Sequence, residues 1–298
     1  MAASSIGLGA QAGGYEIRAD VLNGIQQASA NTGVDFSYLM AQAAKESGFN
    51  PDAKAKASSA AGLYQFVEQT WLSVVRKHGA EHGIGDMAAK IKLGDDGKLR
   101  VADPALRKQI LDLRRDPAIA AAMAAEHAAD NQARLDAKLD RPVTPTDLYL
   151  AHFLGLKGAT SFLGAMEKDA KQGAADLFPK AAAANKSIFY RADGSQRTLQ
   201  EIYDRFESRM VSEMAAYDDL EGASFAGETM LADVRSSRGN AGGVSGDGAI
   251  FGQTSPGGVL SPLMMVTLAS LPTGRDRDDT VADRNSLFNR ATIGNPVA

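Results

Sequence analysis

Apolar residues recur at intervals of three and four along the first two thirds of the chain, a period typical of amphipathic helices. The pattern predicts a first helix over residues 16–30, ended by Gly33, and a second helix that begins after Asp35 and ends at Gly48. The Asp35 carboxylate is expected to cap the second helix, because an oxygen there accepts a backbone N–H that lacks a partner inside the helix. Glu46 then falls in the last turn of the second helix.

A loop rich in small residues follows this second helix. Beyond it, a third helix is predicted to begin after Gly62, to carry Phe66 and Trp71 on its apolar side, and to end at Gly79. Phe66 and the single tryptophan are therefore available to line a cleft near Glu46.

Two later helix starts combine a capping side chain with a proline at the first helical position. Asp116-Pro117 opens an alanine-rich helix, and Thr144-Pro145-Thr146-Asp147 opens another, with Asp147 as its acidic third residue. A further helix is predicted from Leu199 to Tyr217. Because alternating β-branched runs are almost absent, we expect an all-α fold.

The composition changes near residue 221, where glycine and serine become dense and helical periodicity is lost. We expect a flexible N-terminus over residues 1–14, one helical domain over residues 15–220 with its core at 34–156, and a largely disordered tail over residues 221–298.

Charge and cysteine usage exclude several classes of function. The formal net charge of −4 leaves no overall basic field for phosphates, so nucleic acid is not an expected partner. The absence of cysteine removes disulfides and thiolate chemistry. The apolar stretch at residues 259–271 is too short to span a membrane, and the first 14 residues do not have the pattern of a secretory signal.

Glu46 is the candidate for chemistry. Cleavage of a glycosidic bond needs a carboxylic acid that keeps its proton at neutral pH, which an apolar setting favours. Glu46 follows the largely apolar run at residues 38–44, and the next loop is rich in Ala and Ser. A solvated glutamate near a helix end is the alternative that the position alone would suggest.

Two ordered motifs surround this residue. The first is Glu46-Ser47-Gly48-Phe49-Asn50-Pro51, and the second is Gly62-Leu63-Tyr64-Gln65-Phe66, followed by Thr70-Trp71. Together they resemble the signature of the soluble lytic transglycosylase family, which has a goose-type-lysozyme-like fold. The match is closest over residues 36–72, and a weaker match extends it to Gly155.

The chain departs from the family pattern at two places. Tyr64 stands where the family usually has Met, and Ala151-His152-Phe153-Leu154-Gly155 stands where the family usually has Ala-Tyr-Asn-x-Gly. His152 falls at the aromatic position, and Tyr149, one helical turn earlier, is a possible substitute for the polar contacts that Phe153 cannot make.

The resemblance implies an enzyme that cuts the glycan strands of peptidoglycan between MurNAc and GlcNAc and leaves a 1,6-anhydro-MurNAc end. It implies that Glu46 is the single acid and base, without metal or cofactor. The expected substrate-binding residues are Ser47, Gly62, Tyr64, Gln65, Tyr149 and His152. The alternative for Ser47 is an ordinary residue at a helix end, and the alternative for Gln65 is an ordinary residue at a helix start.

Two other functions remain open from the residues. A non-catalytic glycan-binding or assembly protein would keep the Glu46 motif and lose turnover through the altered segment at 151–155. A hydrolytic muramidase would need a second carboxylate, for which Asp52 is nearest in sequence. The spacing of His78 and His82 fits two ligands on one helix face, but Gly79 interrupts the helix and no third ligand is evident, so both are interpreted as surface histidines.

The expected site of action is the periplasm or cell envelope, with the chain cytoplasmic before delivery. Because no signal is recognised, delivery by a flagellar, secretion or phage assembly is the hypothesis. The C-terminal tail, including Leu263-Met264-Met265, would be its docking segment.

Overall fold

The computed structural model describes residues 9–56 and 58–221. Its helices are α1 (Ala19–Thr32), α2 (Phe36–Ser47), α3 (Glu68–His78), α4 (Gly85–Ala88), α5 (Pro104–Asp112), α6 (Pro117–Asp136), α7 (Pro145–Lys168), α8 (Ala174–Leu177), α9 (Pro179–Ala184), α10 (Lys186–Phe189) and α11 (Leu199–Ala215), with 3-10 turns at Leu113–Arg115 and Asp218–Leu220. The expected all-α fold is confirmed in that the structure is mostly helical, with a small strand content.

The predicted helix ends are confirmed where a local cap sets them. Asp35 accepts the Tyr38 backbone N–H at 2.7 Å at the start of α2, and Gly48 ends that helix in the left-handed conformation. Asp116 caps α6 in the same way as Asp35 caps α2. At the start of α7, Thr144 and Asp147 form a reciprocal capping box.

The N-terminal region differs from the prediction. Strands β1 (Ala10–Ala12) and β2 (Tyr15–Ile17) pair as an antiparallel hairpin, so α1 begins at Ala19 instead of residue 16. The side chain of Ile17 is fully buried, although it reaches the core from a strand. Strand β1 falls within the segment 1–14 that was expected to be flexible. A second short hairpin joins β3 (Lys92–Leu93) to β4 (Leu99–Arg100).

The predicted start of the third helix is wrong, because α3 begins at Glu68 and Phe66 precedes it. Residues 61–66 fold back on themselves, with the Ala61 N–H donating to the Phe66 carbonyl and the Gln65 N–H to the Gly62 carbonyl. Gln65 has a φ of +46°, which a helix does not allow.

Helix α6 lies at the centre of the packing and contacts α1, α2, α3 and α7. Helices α2 and α7 also pack against α11, which brings the end of α2 close to the first turns of α7. None of the helices in the described ranges has the length and apolar content of a membrane span. Apart from Glu221, the predicted disordered tail lies outside the described residues.

Candidate active site

Glu46 lies in the last turn of α2, where the helix packs into the core. Its side chain is only 2% exposed. A buried carboxylate is costly unless hydrogen bonds or a proton compensate for the lost hydration. The partners of its two oxygen atoms therefore define the chemistry of the site.

One carboxylate oxygen has a partner from α7. The Nε2 atom of His152 lies 2.8 Å from Glu46 Oε1. The other ring nitrogen, Nδ1, lies 3.0 Å from the side-chain amide nitrogen of Gln42. With the amide nitrogen donating to Nδ1, the ring proton is on Nε2 and is donated to Glu46. A hydrogen-bonded chain thus runs from Gln42 of α2 through His152 of α7 to Glu46 of α2.

The other carboxylate oxygen, Oε2, is buried and bonds to no described residue. The charged form of Glu46 is consequently only half compensated, whereas a proton on Oε2 would remove the unpaired charge. This arrangement is suited to a carboxyl group that gives and takes one proton.

A buried ionic network fixes the start of α7, four residues before the Ala151-His152 pair. Asp147 is fully buried and accepts two hydrogen bonds from Arg141, at 2.6 and 2.9 Å, and one from Tyr203 on α11. Burial raises the pKa of Asp147, but the hydrogen bonds from Arg141 and the Thr144 backbone outweigh it and hold that pKa below its ordinary value. The network ties α7 to α11 and so sets where His152 lies.

Helix α7 breaks directly after this segment. Gly155 has φ +71° and ψ +159°, a conformation essentially restricted to glycine, and helical geometry resumes on its far side. Gly155 is therefore a kink inside a longer helix, which continues to Lys168.

A cleft of about 320 Å³ opens beside these residues. Its polar lining includes Gln42, Thr70, His127, Asn131, Arg134 and His152, and its apolar lining includes Phe66 and Leu154. The volume falls at the lower end of the range for small-molecule sites. Glu46 is not among the lining residues, and His152, which is, contacts it directly.

Several ionisable side chains in and near the cleft are buried. Burial lowers the pKa of His127 to about 4, and the neighbouring His152 adds to this shift. Burial also lowers the pKa of Lys45 to about 8, although Glu213 and Glu46 oppose the shift. The Tyr38 hydroxyl, raised in pKa by burial and then by the Glu46 charge, remains a neutral donor.

The loop after α2 is built around two of the predicted substrate-binding residues. Gly62 has a φ of +83°, and a Cβ atom there would lie 1.7 Å from the Arg114 carbonyl oxygen. The Gln65 amide donates to the carbonyls of Ala53 and Gly62, and Gln65 does not line the cleft. Both residues shape the loop in this structure.

Arg114 holds the same loop from a distant part of the chain. Its Nη1 atom donates to the carbonyl of Ser59 at 2.6 Å and to that of Phe66 at 2.9 Å. Ser47 adds a further link, because its hydroxyl lies 2.7 Å from the Leu63 carbonyl oxygen. The Ser47 hydroxyl is thus engaged with the backbone.

The remaining predicted residues divide between the cleft and the core. Tyr64 lines the cleft and donates its hydroxyl to the Leu39 carbonyl. Tyr149 is buried behind the cleft, where its ring stacks on His152 at a centroid distance of 6.2 Å. Phe153 is 1% exposed and packs edge-on against Phe206. His152 is therefore the member of the 151–155 segment whose polar atoms reach both Glu46 and the cleft.

Sequence reasoning missed Gln42 as a site residue. Gln42 precedes Glu46 by four positions, so both lie on the same face of α2, and that spacing is a usable signal. His127, Asn131 and Arg134 of α6 had no such signal, because their place in the cleft depends on how α6 packs.

A helical domain with a buried glutamate at the end of one helix and a cleft beside it defines a lysozyme-like class of protein. The family model for the transglycosylase SLT domain matches residues 23–89, a segment that runs from α1 to α4 and contains Glu46. The resemblance to this family that the two motifs indicated is confirmed, and the SLT domain supports a lytic-transglycosylase-like activity related to peptidoglycan.

Proposed function

We propose that the protein is a peptidoglycan lytic transglycosylase that cleaves the β-1,4 bond between MurNAc and GlcNAc, with Glu46 as its single acid and base. The observation that carries the proposal is the state of the Glu46 carboxyl group. It is buried at the end of a helix within the SLT match, with one oxygen bonded to His152 and the other without a partner.

In the proposed reaction, Glu46 first donates its proton to the leaving glycosidic oxygen. The resulting carboxylate then removes the proton from the C6 hydroxyl of the same MurNAc, and that oxygen closes the 1,6-anhydro ring. The acetamido group of the sugar stabilises the cationic centre between the two steps, so a second carboxylate is not required. The Glu46 proton is restored when the C6 hydroxyl proton is taken up.

His152 serves this reaction by holding Glu46 Oε1, which leaves Oε2 as the atom that exchanges the proton. We therefore propose His152 as a positioning residue.

We further propose that the protein acts in the periplasm or cell envelope, where its substrate lies. A flagellar, secretion or phage assembly would be the partner that brings it there, through the tail.

The test is product analysis on purified peptidoglycan. Wild-type protein should release muropeptides with anhydro ends, which are lighter by one water than hydrolytic products. Glu46→Gln keeps the shape of the side chain and removes the transferable proton, so release should fall by about 100-fold or more. Glu68→Gln is the matched control, because Glu68 pairs with Arg107 outside the site, and it should release products at the wild-type rate.

A second candidate is a non-catalytic glycan-binding protein. Two observations favour it. The Glu46 side chain is buried, and Phe153, which stands where the family usually has a polar residue, is buried in the core. Wild-type protein that binds peptidoglycan and releases nothing would establish this function and refute the enzyme. A hydrolytic muramidase would instead release products that retain the water, although Asp52, its candidate second carboxylate, lies exposed on the loop.

A further inference from the structure

A second cluster of imidazole and carboxylate groups lies at the C-terminal end of α3, outside the cleft. His78 is the last residue of α3, and Glu81 and His82 follow in the turn that leads to α4. Glu126 and Asp130 face them from α6, one helical turn apart. The cluster thus links the C-terminal end of α3 to α6.

The His78 ring has one satisfied nitrogen and one bare nitrogen. Its Nε2 atom lies 3.1 Å from Asp130 Oδ2, and because a carboxylate only accepts, Nε2 carries the proton. In the neutral ring, the Nδ1 atom then carries a lone pair. It is buried, and no described residue makes a hydrogen bond to it.

Carboxylate oxygens surround this bare nitrogen. Glu126 Oε2 lies 3.2 Å from Nδ1, and Glu81 Oε2 lies 4.0 Å from it. Lone pairs at these distances repel each other unless a positive centre lies between them. One ligand atom from each of His78, Glu81 and Glu126 falls within 4.8 Å of the other two.

We propose that His78 Nδ1 and the carboxylates of Glu81 and Glu126 bind a divalent cation of the zinc class. Zinc bonds of about 2.0 to 2.2 Å to nitrogen and oxygen place neighbouring ligand atoms of a tetrahedron roughly 3.3 Å apart. The 3.2 Å separation between His78 and Glu126 matches such an edge. Glu81, whose side chain is 67% exposed, is free to close the remaining distance.

The surrounding hydrogen bonds are those that orient metal ligands. Asp130 accepts from the His78 nitrogen opposite to the proposed ligand atom, and His82 Nε2 donates to Glu126 Oε1 at 2.9 Å. A carboxylate behind a ligating imidazole fixes its tautomer and raises its basicity. The interpretation of His78 and His82 as surface histidines is accordingly replaced, with His78 as ligand and His82 as the residue that orients Glu126.

The site would clamp the end of α3 to α6. Glu126 is adjacent to His127, which lines the cleft, so a bound cation would also make this part of α6 more rigid. This role is independent of the reaction proposed for Glu46.

The experiment is a zinc titration of the full chain, free of any histidine tag, in competition with a chromophoric chelator. We expect one zinc ion per chain. The chain has four histidines and no cysteine, so a competing imidazole site would have to use His127 or His152. His78→Gln and Glu126→Gln should abolish binding, and Asp130→Asn should weaken it by about 10- to 100-fold. Glu68→Gln, a carboxylate removed elsewhere, should bind as the wild type does.

Thermal unfolding gives a second readout that does not depend on activity. Zinc in large excess over its dissociation constant should raise the Tm of the wild type by several degrees and leave that of Glu126→Gln unchanged. Glu81→Gln, at an exposed position, replaces His78→Gln if the latter does not fold. Wild-type protein that binds no zinc at micromolar concentration, or a Glu126→Gln variant that binds it unchanged, overturns the proposal and leaves an ion-pair network.

Discussion

The protein contains two clusters of histidine and carboxylate, and they differ in which atom is left without a partner. In the cluster of Glu46 and His152, it is a carboxylate oxygen, Oε2. In the cluster of His78 and Glu126, it is an imidazole nitrogen, Nδ1. A buried carboxylate oxygen can take up a proton, whereas a bare imidazole nitrogen beside carboxylates can bind a metal cation. The same residue types thus support different proposals.

The third member of each cluster accounts for the difference. Gln42 contacts His152 through an amide, which can donate or accept when it rotates. Asp130 contacts His78 through a carboxylate, which only accepts. The His78 tautomer is therefore set by a group that only accepts, whereas that of His152 depends on which end of the Gln42 amide faces it.

The largest expected effect comes from removing His152. His152→Phe keeps a ring of similar size and leaves both oxygens of Glu46 buried without a partner, so kcat on peptidoglycan should fall by about 100-fold. His152→Gln retains a donor and should recover part of the loss. Steady-state assays that separate kcat from KM, at several pH values, provide the measurement. Normal kcat in His152→Phe would show that His152 does not position Glu46.

A smaller effect is expected from the break in α7 that follows His152. Gly155→Ala forces an alanine into a glycine-only conformation and should lower the free energy of unfolding by about 1 to 3 kcal/mol. No atom lies within 4 Å of the added Cβ, so the cost is confined to the backbone. Urea denaturation measures it.

Gly164→Ala is the matched control for that experiment. Gly164 lies in the same helix with helical geometry and equally open space, so alanine there should raise stability by up to about 1 kcal/mol. Equal effects of the two substitutions would contradict the assigned strain at Gly155.

The smallest effect concerns His127, which lies between the two clusters. Its folded-state pKa of about 4 lies below the ordinary 6.5, chiefly because of burial, with contributions from His152 and His78 that Asp130 opposes. Between these values the unfolded chain binds more protons, so stability falls as pH decreases from 6.5 to 4.

His127→Gln removes this titrating group. The free energy of unfolding that is lost over that pH range should therefore be smaller by about 1 to 2 kcal/mol than in the wild type. Urea titrations of both proteins at pH 7 and pH 4.5 compare the two slopes. Parallel curves would mean that His127 titrates normally in the folded protein.

The sequence predicted the features that depend on neighbouring residues. The caps at Asp35, Gly48 and Asp147 lie within four residues of the groups they satisfy, and all three are present. Glu46 is placed at its helix end for the same reason, and the motif around it indicated the resemblance to the SLT family that the family model supports over residues 23–89.

Features that depend on distant residues were missed. His78 and His82 were set aside for lack of a third ligand, and Glu126 is 44 residues beyond His82. Gln65 was expected at a helix start or facing the sugar, but the approach of Arg114 shapes its loop. No period or spacing in the sequence encodes these contacts, since they arise from how α3, α5 and α6 pack.

The position of Arg114 in the chain limits which fragments of the protein can keep the site intact. The matched segment ends at residue 89 and includes Glu46, yet the guanidinium that holds the loop at 59–66 follows 25 residues later, and His152 later still. A fragment cut at the end of the match would keep the proposed acid and lose the groups that hold it and its loop in place. The smallest fragment that keeps the proposed activity would therefore extend at least through α7, well beyond the segment that matches the family model.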